Sequence, residues 1–163
     1  MKKLFLIMGL AAISATGFAQ LNYNKWETVE IVDEFGDSTG ESVTRAFFKG
    51  VFSNSATSNA DLIVKVVDYG NAVMMELYEY SKAPGASMCY DGCTGEISVK
   101  NSSGEIETHS TFAPESGGLY FNSDDSFFNL IHNNLGETIK VVVRERNFSK
   151  YGSSSYVFEM ITQ

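Results

Sequence analysis

Apolar and polar residues alternate with a period of two along most of this chain, and short breaks rich in Gly, Asn, Asp and Ser interrupt the alternation. A side-chain period of two belongs to strands with one face in a core and one in water. Val29 and Ile31 flank Glu30 just after Trp26. Val43 to Phe52 is a second, Phe-rich run. Leu62, Val64 and Val66 alternate with Ile63, Lys65 and Val67, and Ala72 to Tyr80 returns after Asp68-Tyr69-Gly70-Asn71. That tetrapeptide reads as a tight hairpin turn, because Gly70 and Asn71 tolerate a positive φ. Glu96–Lys100 and Glu105–Phe112 form another hairpin around Asn101-Ser102-Ser103-Gly104. Leu119-Tyr120-Phe121 is a short strand, and Ile139–Val143 and Tyr156–Ile161 are the last two.

One segment breaks this rhythm. Between Ser123 and Gly136 the apolar residues fall at 127, 128, 130, 131 and 135, which is helical spacing. Ser123 reads as the N-cap, Asp124 and Asp125 complement the positive end of the helix dipole, and Gly136 suits a left-handed stop. About nine strands and one amphipathic helix in the C-terminal half predict a mainly β fold, either an antiparallel β-sandwich or a squat barrel. A helix this short is stable only when packed, so it is expected to cap one open end.

The last hairpin carries enough pattern to set a register. Opposed residues of an antiparallel pair share a face, and a one-residue slip turns every side chain over. Placing Ile139 against Met160, Val141 against Phe158 and Val143 against Tyr156 keeps the inner face apolar. It also sets Lys140 against Glu159 on the outer face, and Arg144 and Arg146 against Ser155 and Ser153.

The first nineteen residues read as an address rather than structure. Met1-Lys2-Lys3 is a basic start, Leu4–Ile13 an apolar stretch, and Gly17 and Ala19 fit a small-residue cleavage site. Ten apolar residues are too few to span a bilayer, which needs about 20. The expected organisation is therefore a signal peptide over 1–19 and a single β-rich domain over 20–163, exported to the periplasm or beyond. The chain has 12 basic against 20 acidic residues, and Lys2 and Lys3 leave with the leader. So acidic a balance argues against a non-specific binder of nucleic acid or anionic lipid, since both need a basic surface.

Candidate chemistry is sparse. Cys89 and Cys93, in Cys89-Tyr90-Asp91-Gly92-Cys93, are the only cysteines. In an oxidising compartment they are expected to pair and pin a local loop, their spacing being unlike a redox dithiol. His109 and His132 are the only histidines, and set far apart on a strand and a helix they make a weak case for zinc, which takes three or four protein ligands. Asp33, Asp37, Thr39 and Glu41 are close enough to raise a calcium loop, although Phe35 and Thr44 stand where an EF-hand needs carboxylates. No Gly-x-Ser-x-Gly elbow is present, so a Ser–His–acid set would have to be assembled in space from His109 or His132. Tyr78 and Tyr80 share a strand face with Glu76 and are candidate binding aromatics. Arg144 and Arg146 are a candidate anion site. No cofactor is expected.

Trp26, the segment Asp33-Glu34-Phe35-Gly36-Asp37-Ser38-Thr39-Gly40-Glu41 and the segment Gly50-Val51-Phe52-Ser53-Asn54-Ser55-Ala56-Thr57 together resemble a recurring pattern in small bacterial exported β-rich proteins of unknown function. The resemblance implies fold and localisation and brings no catalytic residue with it. The expected function is a secreted or periplasmic, non-catalytic interaction domain for a protein or cell-envelope component. A glycan- or small-molecule-binding module would instead need a concave face with exposed rings. A hydrolase would need a histidine in a cleft beside Ser and Asp or Glu.

Overall fold

A computed structural model describes residues 21–82, 85–89 and 91–163. The expected signal peptide, Pro84 and Tyr90 lie outside the described residues. Nine strands and one helix follow in the order β1 (Glu27–Val32), β2 (Ser38–Ser53), β3 (Ala60–Asp68), β4 (Ala72–Glu79), β5 (Cys93–Lys100), β6 (Ile106–Ala113), β7 (Leu119–Asn122), α1 (Ser126–Asn133), β8 (Thr138–Arg144) and β9 (Ser155–Ile161). Every strand pairing is antiparallel. The order β1-β2-β3-β4-β7-β6-β5-β8-β9 closes on itself through β2 and β9. The result is a closed barrel of eight strands, with β1 as a ninth strand outside the ring.

Strand alternation sends one face of each strand inward, and that face is apolar nearly all round. Phe48 and Phe52 of β2, Val64 and Val66 of β3, Met75 and Leu77 of β4, Ile97 of β5 and Phe121 of β7 join one continuous core. Ile139, Val141 and Val143 of β8 meet Tyr156, Phe158 and Met160 of β9 in the same core. The β8–β9 register has Ile139 opposite Met160, Lys140 opposite Glu159, Val141 opposite Phe158 and Arg144 opposite Ser155, as the sequence pattern requires.

Closing the ring depends on a close approach at Gly50. It pairs with Leu62 on one side and Phe158 on the other. An added Cβ there would stand 2.6 Å from both Phe158 Cβ and the Val157 carbonyl oxygen. No larger residue lets β9 come so near to β2.

β2 is longer than its apolar run suggests. Pairing with β3 begins only at Thr44, while pairing with β1 runs from Arg45 back to Ser38. Residues 27–43 therefore leave the barrel as a two-stranded ribbon. Its root is fixed by Trp26, whose indole N–H donates to the Ile161 carbonyl at 2.8 Å and whose ring packs edge-on to Phe48.

The helix closes the end from which this ribbon projects. It starts at Ser126, with Asp125 as N-cap, rather than just after Ser123. The Asp125 carboxylate accepts from the Asn122 amide at 2.6 Å, which tightens the turn after β7 and delays the helix. Phe127 and Ile131 are fully buried in the barrel mouth, and Phe127 packs on Phe121 with ring centroids 4.4 Å apart. Leu135, part of the expected helical stripe, lies beyond the helix and is exposed.

Candidate functional site

Two places on the molecule carry groups that the core does not consume. The first is the ribbon. β1 has a strand on one side only, and the Ser38–Val43 part of β2 has no strand on its β3 side. Among the described residues both long edges thus lack a strand partner, with the Gly40 and Glu41 amides held by the Ser38 and Thr39 hydroxyls. Val29, Ile31 and Val43 lie half-buried on one ribbon face, which runs on into the outer wall at Arg45 and Phe47. At the tip, Asp33 Oδ1 accepts from the amides of Phe35 and Asp37, both at 2.9 Å. This turn holds Phe35 out in water, 82% exposed.

The same hydrogen bonds show what becomes of the calcium candidates. One Asp33 oxygen is committed to the turn. The Thr39 hydroxyl donates to the Ile31 carbonyl, and the Glu41 amide donates back to Thr39 Oγ1. Among the described residues no group of three or more His, Cys, Asp or Glu side chains gathers as metal ligands do. Asp33, Asp37 and Glu41 instead make the ribbon acidic.

The second place lies under α1. The helix is held by a histidine at each end. His132, in its last turn, sets Nε2 3.0 Å from Asp68 Oδ2 and Nδ1 2.8 Å from the Phe128 carbonyl. Both nitrogens face acceptors. The buried Asp68 also accepts from the Gly70 amide at 2.7 Å, so it ties the β3–β4 turn to the helix. His109 of β6 points inward and is 2% exposed. Its Nδ1 is 2.7 Å from Ser126 Oγ, and its ring sits edge-on to Phe127. Its Nε2 is buried without a hydrogen bond among the described residues, 3.6 Å from Glu107 Oε2. Burial pushes the His109 pKa below its ordinary 6.5, against a smaller opposing pull from the Glu107 carboxylate. The ring is therefore neutral at pH 7. With Ser126 donating to Nδ1, the remaining ring proton sits on Nε2 and faces Glu107.

The remaining candidates fall apart in space. Tyr78 and Tyr80 do not form a joint platform. Tyr78 is buried on the outer wall with Phe47 and Ile63, beneath Leu21 and Tyr23 of the N-terminal segment. β4 ends at Glu79, and Tyr80 takes a left-handed φ of 53° that turns its ring onto Phe52, with centroids 4.8 Å apart. Arg144 closes β8, but the chain then winds into a short 3-10 helix over Glu145–Asn147. Arg146 is on that helix and so does not stand opposite Ser153. Glu145 takes over, its carboxylate accepting from the amides of Ser153 and Ser154 at 3.0 Å each. An acid inside this loop makes the pair of arginines a poor anion site. Cys89 and Cys93 are joined as a disulfide at the barrel end remote from α1, linking the β4–β5 loop to the start of β5.

Among the described residues the barrel interior is filled by the side chains of the core. Two open, shallow depressions mark the outer wall, one lined by Lys49, Val51, Lys140 and Glu159, the other by Lys100, Asn101, Thr138 and Lys140. Neither carries a cluster of exposed rings. No helix among the described residues is long and apolar enough to cross a membrane. Comparison with protein-family models, with curated proteins and with solved structures finds no match.

Proposed function

We propose that this chain is an exported interaction domain whose β1–β2 ribbon captures an extended, cationic segment of another protein by strand addition. The observation that carries the reading is the ribbon itself, with two open backbone edges and the exposed Phe35 at its tip. Open edges supply the main-chain hydrogen bonds of strand addition, and side chains on the added strand supply selectivity.

Charge selects the occupant. Residues 25–45 hold six acidic side chains against Lys25 and Arg45, and Arg45 is already bonded to Glu27 at 2.9 Å. A second copy of this ribbon would bring acid against acid, which opposes self-pairing. An extended segment that mixes Lys or Arg with β-branched residues sets its cations near Glu30 and Glu41 and its apolar side chains on Val29, Ile31 and Val43.

The test uses a labelled peptide that alternates Lys with Val and Thr, followed by fluorescence anisotropy. It should bind, and binding should weaken as salt screens the ribbon. Reversing two exposed acids, in the double variant E34K/E41K, should weaken it about tenfold, since each exposed charge pair contributes up to about 1 kcal/mol. Equal binding by the double variant, or by a Glu-for-Lys peptide, would overturn the reading.

A further inference from the structure

The groups under α1 have the layout of an acyl-transfer site. Three observations meet there. Ser126 is an exposed residue, and its Oγ lies 2.7 Å from His109 Nδ1, within reach for proton transfer. His109 is 2% exposed, and its other nitrogen has no hydrogen-bond partner while a carboxylate of Glu107 stands 3.6 Å away. Ser126 also opens a helix that follows a strand and a short turn, β7 ending at Asn122 and α1 beginning at Ser126. A nucleophilic serine in that strand–turn–helix setting uses the amide of the next residue as an oxyanion donor. Here that residue is Phe127. First-turn amides lack partners within their helix, and Asp125 caps none of them with its side chain.

We propose that Ser126 is the nucleophile of an esterase site, with His109 as its general base and Glu107 as the positioning residue, acting on short-chain acyl esters that are neutral or cationic. The hydroxyl proton passes to His109 Nδ1 as Ser126 Oγ bonds to the ester carbonyl carbon. Negative charge gathers on the carbonyl oxygen, beside the Phe127 amide at the positive end of the helix. The ester C–O bond then breaks, and the leaving alkoxide takes the proton from His109. Water repeats the sequence on the acyl-serine: it gives its proton to His109 and its oxygen to the carbonyl carbon, and the returning proton restores Ser126 as the acid departs. No oxidant or cofactor is required.

The surroundings define the substrate. Ser126 lies at an open surface rather than in a cleft, so a small acyl group suffices and long chains gain nothing. Asp124 and Asp125 directly precede Ser126 in the chain and Glu107 stands beside His109, so the local charge is negative and disfavours anionic esters. The unbonded Nε2–H draws toward Glu107 only when the ring takes up the serine proton, so the interaction strengthens as charge develops. The depressed pKa of His109 keeps the base unprotonated at neutral pH.

The experiment treats the purified protein with an uncharged fluorophosphonate and maps the adduct by mass spectrometry, then follows hydrolysis of p-nitrophenyl acetate. The adduct should fall on Ser126. Ser126→Ala should keep its melting temperature, lose the adduct and lose hydrolysis on the order of a hundredfold. The rate should rise with pH about a midpoint below 6.5. Glu107→Gln should move that midpoint lower still, a shift that a purely structural Glu107 would not cause. No adduct on Ser126, wild-type hydrolysis by Ser126→Ala, or a midpoint that Glu107→Gln leaves in place would each overturn the proposal. The outcome is independent of the ribbon, which these variants do not touch.

Discussion

Replacing Gly50 with Ala tests the closure of the barrel. The new Cβ would meet Phe158 Cβ and the Val157 carbonyl oxygen at 2.6 Å, and Leu62 Cδ2 at 3.2 Å. The first two atoms belong to backbone or are fixed to it, so no rotamer change relieves them. Ordinary contact begins near 3.4 Å, and the β2–β9 seam must therefore open by roughly 0.8 Å. That displacement takes a hydrogen bond of about 2.9 Å out of its range. The seam consists of four opposed pairs, from Gly50–Phe158 to Ser53–Ser155, so little ladder remains to absorb the shift. Overpacking costs about 1–3 kcal/mol, and each weakened ladder bond adds about 1 kcal/mol. The lower backbone entropy of Ala returns roughly 0.5–1 kcal/mol. The net expectation is a loss of about 3 kcal/mol, or about 10 °C in melting temperature for a domain of this size. Urea and thermal unfolding followed by circular dichroism measure it. Gly85→Ala is the control, because its Cβ meets nothing nearer than 3.7 Å and φ is not positive. A Gly50→Ala protein as stable as the wild type, or a Gly85→Ala protein equally damaged, would refute the argument.

Ile131→Ala removes one of the two fully buried side chains with which α1 fills the barrel mouth, and should cost about 2–5 kcal/mol in urea unfolding. The contribution of His109 to stability should also fall as pH drops through the range below 6.5. His109 has a folded pKa beneath that value, so the unfolded chain takes up the proton first and gains over the native state until the folded pKa is reached. Urea midpoints measured from about pH 7.5 to about pH 5.5 should show this slope, and His109→Gln should flatten it.

Much of the architecture was legible because burial leaves a local trace. The register of β8 and β9 follows from three apolar pairs, since a one-residue slip turns Phe158 outward and the shift that opposes Arg144 to Glu159 sets Glu145 against Phe158. The start of β2 left no such trace. Ser38, Thr39, Gly40, Glu41 and Ser42 are polar because this part of the strand lies on the ribbon and faces no core, so the segment reads as a turn. The choice between sandwich and barrel was equally hidden, as it depends on β2 reaching β9 across more than 100 residues of chain. Two residues able to cap a helix, Ser123 and Asp125, compete within three positions, and the turn bond to Asn122 decides between them. Tyr78 shows how alternation misleads at a second apolar layer. Its outward phase is correct, but Leu21 and Tyr23 return over the outer wall and cover it. The pairing of His109 with Ser126 had one faint sign, a serine at the first turn of a predicted helix, and nothing local to point from β6 to it.

The seam between β2 and β9 has a consequence for how the chain must fold. Gly50 is made early and finds Phe158 only when the last residues are free to pair. Contacts so distant in sequence form late, after loop closure has been met by nearer hairpins. The β2–β3–β4 meander must therefore persist for a time as an open sheet, with Phe48, Phe52, Val64 and Val66 facing water and the β2 edge bare. Such an intermediate is prone to associate with its own kind. A chain cut before Ser155 is accordingly left in that open, adhesive state rather than in a slightly weaker version of the native one.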